Sequence, residues 1–171
     1  MKVSVIFGSS SDKNIMKKVT DTLKSYGVEY IPAILSAHRM PDLLKDKIDE
    51  MEKAGVEVFI AGAGLAAHLP GAVASHTVKP VIGVPIKAAL NGEDALLSIV
   101  QMPPGIPVAT VGIGRGENAA ILAVQILSLK DSSLQEKLRL KREEKKQRIL
   151  EENENIESLI NQINKNQTTG G

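Results

Sequence analysis

Residues 56–64 read Val56-Glu57-Val58-Phe59-Ile60-Ala61-Gly62-Ala63-Gly64. Apart from Glu57, the first six are apolar and rich in β-branched side chains, so Val56–Ala61 is predicted as a strand covered on both faces. Strands of that kind belong to parallel sheets, whose crossover helices lie on either side. The flanking sequence repeats the unit. Lys2–Phe7 reads as a strand ended by Gly8 and a hydroxyl-rich turn. From Asp12 to Tyr26, the positions Ile15, Val19, Leu23 and Tyr26 share one helix face, and Gly27 supplies the stop. Val28–Leu35 reads as a second strand, with Pro32 assigning it to an edge or a bulge. Pro41 opens a second helix whose Leu44, Ile48 and Met51 line one face before Gly55 ends it. Downstream, a small-residue helix over about 65–75 precedes a strand at 81–84, a helix at 92–101, a strand at 107–111 and a helix at 117–129. This alternation predicts an α/β fold: a mostly parallel sheet with helices on both faces and ligands beyond the carboxyl ends of its strands.

The whole chain has 171 residues, a length that suits one domain of ordinary size. Folding such a domain buries roughly 70% of the surface exposed by its unfolded chain. A net charge of +1 excludes capture of nucleic acid or an anionic membrane by bulk charge. The aromatic residues are Phe7, Tyr26, Tyr30 and Phe59, too few for a single-strand stacking platform. With no Cys, disulfide frameworks, thiolate nucleophiles, Fe–S clusters and Cys-type zinc sites are excluded. The N-terminal apolar run is short and stops at Ser9-Ser10-Ser11-Asp12, unlike a signal peptide. No stretch approaches the ~20 apolar residues of a membrane span. A soluble, cytoplasmic protein is expected.

Beyond Lys130 the composition changes. Residues 131–157 hold seven basic and eight acidic side chains with no Gly or Pro, which predicts a solvated helix with salt-bridged faces. Ile156, Leu159, Ile160 and Ile163 then follow helical spacing, a stripe that needs a covering surface. The expected organisation is a catalytic domain over 1–130, a helical extension over 131–165 packing on a neighbouring subunit, and a disordered tail over 166–171.

Four strand-end loops carry unusual residues. Gly8–Asp12 joins a strand to a helix N-terminus, whose unpaired N–H groups and positive dipole end suit a phosphate; a helix cap at Ser11 or Asp12 is the structural alternative. In Ser36-Ala37-His38-Arg39, imidazole can move protons near neutral pH and guanidinium can fork onto a phosphate or carboxylate. Gly62-Ala63-Gly64-Leu65-Ala66-Ala67 matches the G-x-G-x-x-A dinucleotide form, yet Pro70 interrupts the next helix and no acidic residue stands at the ribose position. Its glycines are therefore expected to bring N–H groups to a smaller anion. Gly112–Gly116 offers another anion turn, or a flexible one. His68 could line a pocket and His76 reads as structural; neither forms the i, i+4 pair of a helical zinc site, so no metal is expected. No G-x-S-x-G elbow exists for a serine hydrolase.

Taken together, Gly8–Asp12, Ser36–Arg39, Gly62–Gly71 and Ser98-Ile99-Val100-Gln101-Met102-Pro103 make the chain resemble the bacterial N5-carboxyaminoimidazole ribonucleotide mutase family of purine biosynthesis, from about Val3 to Leu129. The resemblance implies a flavodoxin-like three-layer α/β/α sandwich, an octamer, and an isomerase that needs no metal, ATP or biotin. It implies that Ser9, Asp12, Ser36 and Arg39 bind the ribonucleotide, with Ser9 and Arg39 nearest the phosphate, and that His38 is the general acid/base. Gly62, Ala63, Gly64, His68, Leu69 and Pro70 would then form the pocket for the migrating carboxylate. The related animal-type enzyme, which adds CO2 directly, carries Lys-Gly where this chain has Arg39-Met40, which favours the mutase. Met40 itself departs from the Thr common in mutases. A direct carboxylase, a nicotinamide oxidoreductase and a non-catalytic nucleotide-binding module in which His38 is dispensable are the alternatives.

Overall fold

A computed structural model describes residues 1–158 and 160. Leu159, Ile163 and the tail from Asn166 lie outside the described residues.

Val56–Gly64 forms β3, the middle strand of a five-stranded sheet. It pairs on one side with β1 (Lys2–Phe7) and on the other with β4 (Val81–Ile86). Beyond these lie β2 (Glu29–Ile34) and β5 (Ala109–Thr110), giving the all-parallel order β2-β1-β3-β4-β5. That is the flavodoxin-like order, with its switch point between β1 and β3. Pro32 sits on the edge strand β2, where a missing N–H is tolerated.

Five helices cover the sheet: α1 (Lys13–Tyr26), α2 (Pro41–Lys53), α3 (Leu69–His76), α4 (Glu93–Val100) and α5 (Gly116–Ser128). Alternation along β1 and β3 sends Ile6, Phe59, Ala61 and Ala63 into a core shared with Leu44, Ile48 and Met51 of α2, Val73 of α3 and Ile99 of α4. Phe7, Ile60 and Gly62 face the opposite side, where α1 and α5 pack together. Gly116 allows that approach, because a Cβ there would lie 2.9 Å from the Ile15 carbonyl oxygen. Gly27 ends α1 at φ 74°, its N–H donating to the Leu23 and Lys24 carbonyls, while Pro41 starts α2.

The structure differs from the sequence expectation at two places. The third helix starts at Leu69, not near 65, because Ala63 and Gly64 stay in register with Pro85 and Ile86 of β4 and extend β3. The fifth strand keeps only Ala109 and Thr110 of the expected 107–111. Pro107 has no N–H to pair, while Val111 and Gly114 donate to the Gly83 and Pro85 carbonyls outside the regular ladder.

The chain divides into two compact units, Met1–Leu134 and a second beginning at Gln135. The helix α6 (Ser132–Glu154) carries the expected ion pairs, among them Lys146–Glu143 and Arg148–Glu152. It also leaves Leu140, Ile149 and Leu150 exposed, as are Ile156 and Ile160 beyond it. Among the described residues no helix is long and apolar enough to cross a membrane.

Candidate active site

At the switch point the loop after β1 leads to α1 on one face of the sheet and the loop after β3 to α3 on the other, leaving a cleft of about 390 Å³. Gly8, Ser9, Ser11 and Asp12 line it from β1, and Ser36, Ala37, His38 and Arg39 from β2. Ala63, Gly64, Leu65, Ala66, His68 and Leu69 line it from β3, and Ala88 follows β4. A volume of this size suits a small organic ligand.

The first loop is shaped by its own hydroxyls. Ser9 Oγ accepts the Ser11 N–H at 3.2 Å and caps a 3-10 turn over Ser10–Asp12. Ser11 Oγ lies 3.0 Å from Ser9 Oγ and 3.1 Å from Asp12 Oδ1, so one hydroxyl proton serves two acceptors. Asp12 makes no side-chain cap bond to α1. Burial pushes its carboxyl above the usual aspartate value, and the Ser11 hydrogen bond pulls it partly back.

In the second loop, the Met40 N–H donates to the Ser36 carbonyl at 2.9 Å and the Arg39 N–H to Ser36 Oγ at 3.3 Å. This tight turn presents His38 and Arg39 to solvent. Among the described residues, Arg39 has no carboxylate partner within salt-bridge distance. A free guanidinium facing a cleft is ready for an anion.

The third loop brings the second imidazole. Leu65 stands at φ 58°, a left-handed backbone that costs an L-residue about 1–2 kcal/mol. The His68 N–H then donates to the Ala66 carbonyl at 2.7 Å, and α3 begins. The turn lays the His68 ring against His38, with centroids 5.2 Å apart and planes tilted by 32°. The cleft thus combines the Ser9, Ser11 and Ser36 hydroxyls, the Asp12 carboxylate and the Arg39 guanidinium with apolar Ala63, Ala66 and Leu69 and with the imidazole pair.

The structure brings together Ser9, Asp12, Ser36, His38, Arg39, Ala63, Gly64, His68 and Leu69. Gly62 and Pro70 do not line the cleft. Gly62 makes room for the Phe7 ring, and Pro70 is buried in α3 beside Gly83 of β4. Gly62–Gly64 lie within β3, where Gly64 lines the cleft and a Cβ on it would meet Ala88 at 3.3 Å. The strand-to-helix turn of a dinucleotide fingerprint is therefore not formed here. Gly112–Gly116 and Ser98–Pro103 also lie outside the lining; Met102 instead packs at Gly71. His76 ends α3, exposed and away from the cleft. Ala88 was not anticipated; only its place after a strand end could have signalled it. Among the described residues no three His, Asp or Glu side chains converge as a metal set.

A protein of Methanocaldococcus jannaschii named N5-carboxyaminoimidazole ribonucleotide mutase is 53% identical over 158 residues, spanning 92% of this chain and 99% of that protein. One of the same name from Bacillus subtilis is 49% identical, spanning 90% and 97%. The crystal structure of Treponema denticola PurE matches with a TM-score of 0.83 at 31% identity, covering 90% of this chain and 96% of that one. The family model described as AIR carboxylase matches residues 2–148. A match over that span, with relatives about half identical across nearly their whole length, means that the chain belongs to the AIR carboxylase family.

Proposed function

We propose that the chain is an N5-carboxyaminoimidazole ribonucleotide mutase, an isomerase of de novo purine biosynthesis. The observation that carries this reading is the cleft that joins a free Arg39 and the Ser9–Asp12 loop to the paired imidazoles of His38 and His68. It occurs in a chain about half identical to proteins of that name.

Ser9 and Arg39 hold the phosphate end of the ribonucleotide, Ser36 supports that loop, and the Asp12 carboxylate accepts ribose hydroxyls. The carbamate C–N bond breaks, its electron pair passes to nitrogen, and that nitrogen takes a proton. The released CO2 is attacked by C4 of the electron-rich imidazole, and C4 then loses its proton. One proton enters and one leaves, so the net change is an isomerisation without oxidant, reductant or nucleotide cosubstrate. His38 carries the proton in both directions. His68, Leu69 and the alanines around them surround the migrating carboxyl group in an apolar recess. The substrate's charged phosphate keeps it in the compartment where it is made, which fits a cytoplasmic enzyme. Exposed apolar side chains on and beyond α6 support assembly into a homo-oligomer, with the octamer as the expected state.

The family description favours a second reading, direct carboxylation of aminoimidazole ribonucleotide. Both are tested by incubating the protein with synthetic N5-carboxyaminoimidazole ribonucleotide, without ATP or metal, and following C4-carboxylated product by ultraviolet absorbance. A parallel reaction contains aminoimidazole ribonucleotide and a low bicarbonate level. Rapid conversion in the first alone is expected; turnover in the second alone assigns the carboxylase, and silence in both leaves a binding module.

Asp12 gives the reaction an acidic limb. Its ionised carboxylate accepts hydroxyl hydrogen bonds more strongly than the neutral acid does, so affinity is highest above its pKa and falls as pH drops through it. Because burial raises that pKa, KM is expected to climb at a higher pH than an ordinary aspartate would give. Comparing KM across pH for wild type and Asp12→Asn separates this limb from titration of the substrate phosphate, which both proteins share. An unchanged limb in the variant would remove Asp12 from the binding site.

A further inference from the structure

Leu65 lines the cleft yet remains 55% exposed, whereas Leu69 in the same wall is buried. The other small residues of the lining are Ala37, Ala63, Gly64, Ala66 and Ala88. The Leu65 backbone is left-handed at φ 58°, a conformation that glycine would adopt without strain. In the free protein, then, both local conformation and solvation oppose a leucine at this point. Strain of this kind concentrates at ligand-binding positions, where the bound state recovers what the free state loses.

We infer that Leu65 is a retention residue: its side chain covers the bound substrate and keeps CO2 in the cleft between cleavage of the carbamate and carboxylation of C4. This inference rests on the proposed mutase activity. Between those two steps CO2 is a small, uncharged molecule with no ion pair to hold it. Only enclosure keeps it near C4, and escape leaves free aminoimidazole ribonucleotide with the carbamate nitrogen already protonated. The small residues of the lining cannot supply that cover. The branched apolar end of Leu65, standing at the rim, can. The phosphate loop and His38 contribute binding and proton transfer, but neither supplies it.

The test uses substrate labelled with ¹³C in the migrating carboxylate, in unlabelled bicarbonate, with wild type, Leu65→Met, Leu65→Ala and Leu65→Gly. Label retained in the product and free aminoimidazole ribonucleotide are both measured. Wild type and Leu65→Met should retain the label, while Leu65→Ala and Leu65→Gly should raise the released fraction at least about fivefold, on the scale of apolar contacts removed from a pocket wall. Leu65→Ala keeps the strained backbone of an L-residue and loses only the cover. Release from Leu65→Gly alone would therefore assign the effect to loop freedom and overturn the inference. Equal retention in all four proteins would overturn it while leaving the mutase standing, and so would a wild type that itself loses the label. A changed native mass for Leu65→Ala in light scattering would make Leu65 a subunit contact, which also overturns it. Absence of product from wild type would remove the mutase reading and this inference together.

Discussion

Replacing His38 with Asn should lower turnover of the carboxyamino substrate by about 10²- to 10⁴-fold, the range lost when a positioned acid/base is removed. Substrate affinity should hold, because Ser9, Ser36 and the Arg39 guanidinium remain in the cleft. His38 is exposed and its loop is built on hydrogen bonds from the Met40 and Arg39 amides to Ser36, so the fold does not depend on the imidazole. The variant should therefore melt like wild type, bind substrate in calorimetry and lose kcat with KM unchanged. A rate within tenfold of wild type would mean that another group moves the protons. His68, whose ring lies 5.2 Å away, would be the first to examine.

Gly62→Ala should produce the largest loss of stability. Gly62 is paired directly with Phe7 across the β1–β3 junction, and a Cβ built on it falls 2.3, 2.6 and 2.9 Å from three atoms of the Phe7 ring. That ring is fully buried and has no solvent to retreat into. Overpacking of this severity costs about 3 kcal/mol, at the upper end for a forced core rearrangement. For a chain of this length the melting temperature should drop by roughly 6–12 °C. The damage should also reach the cleft. Phe7 adjoins Gly8, whose N–H donates to the Gly62 carbonyl at 3.2 Å, and the Ser9–Asp12 loop continues from there. KM should rise as well. Phe7→Leu alone should destabilise, yet restore part of the loss when combined with Gly62→Ala, since the two sites share one volume. Strict additivity in that double-mutant cycle, measured by denaturant unfolding, would show that the ring is not what the new methyl meets.

Much of the fold was legible because each β-α unit carries its own punctuation. The apolar run Lys2–Phe7 is bounded by Gly8, Gly27 marks the end of α1, and Pro41 marks the start of α2. Where the reading went astray, non-local pairing decided the outcome. Gly62-Ala63-Gly64 looks like a turn in isolation, but β4 offers Val84, Pro85 and Ile86 as partners and holds it extended. The packing role of Gly62 was equally illegible, because the Phe7 ring it accommodates lies 55 residues earlier in the chain. The polar side chains of the cleft were readable from residue chemistry at strand ends. The contact between His38 and His68 was not, since no periodicity links two loops that meet only when β1 is threaded between β2 and β3. Ala88 has no chemistry to announce it.

The switch in strand order has a kinetic consequence. The cleft draws on residues from Gly8 to Ala88 and needs four neighbouring strands in place, so no hairpin-sized intermediate can contain it. Parallel pairing is slow because every ladder closes across an intervening helix. A nascent or partly unfolded chain is therefore unable to bind substrate, and every bound molecule is a vote for the complete sheet. At substrate levels one hundred times the dissociation constant, mass action adds about 2.7 kcal/mol to the folded domain. Metabolic flux through such an enzyme thereby doubles as its chaperone: when the pathway is busy, the domain that serves it is held together by its own cargo.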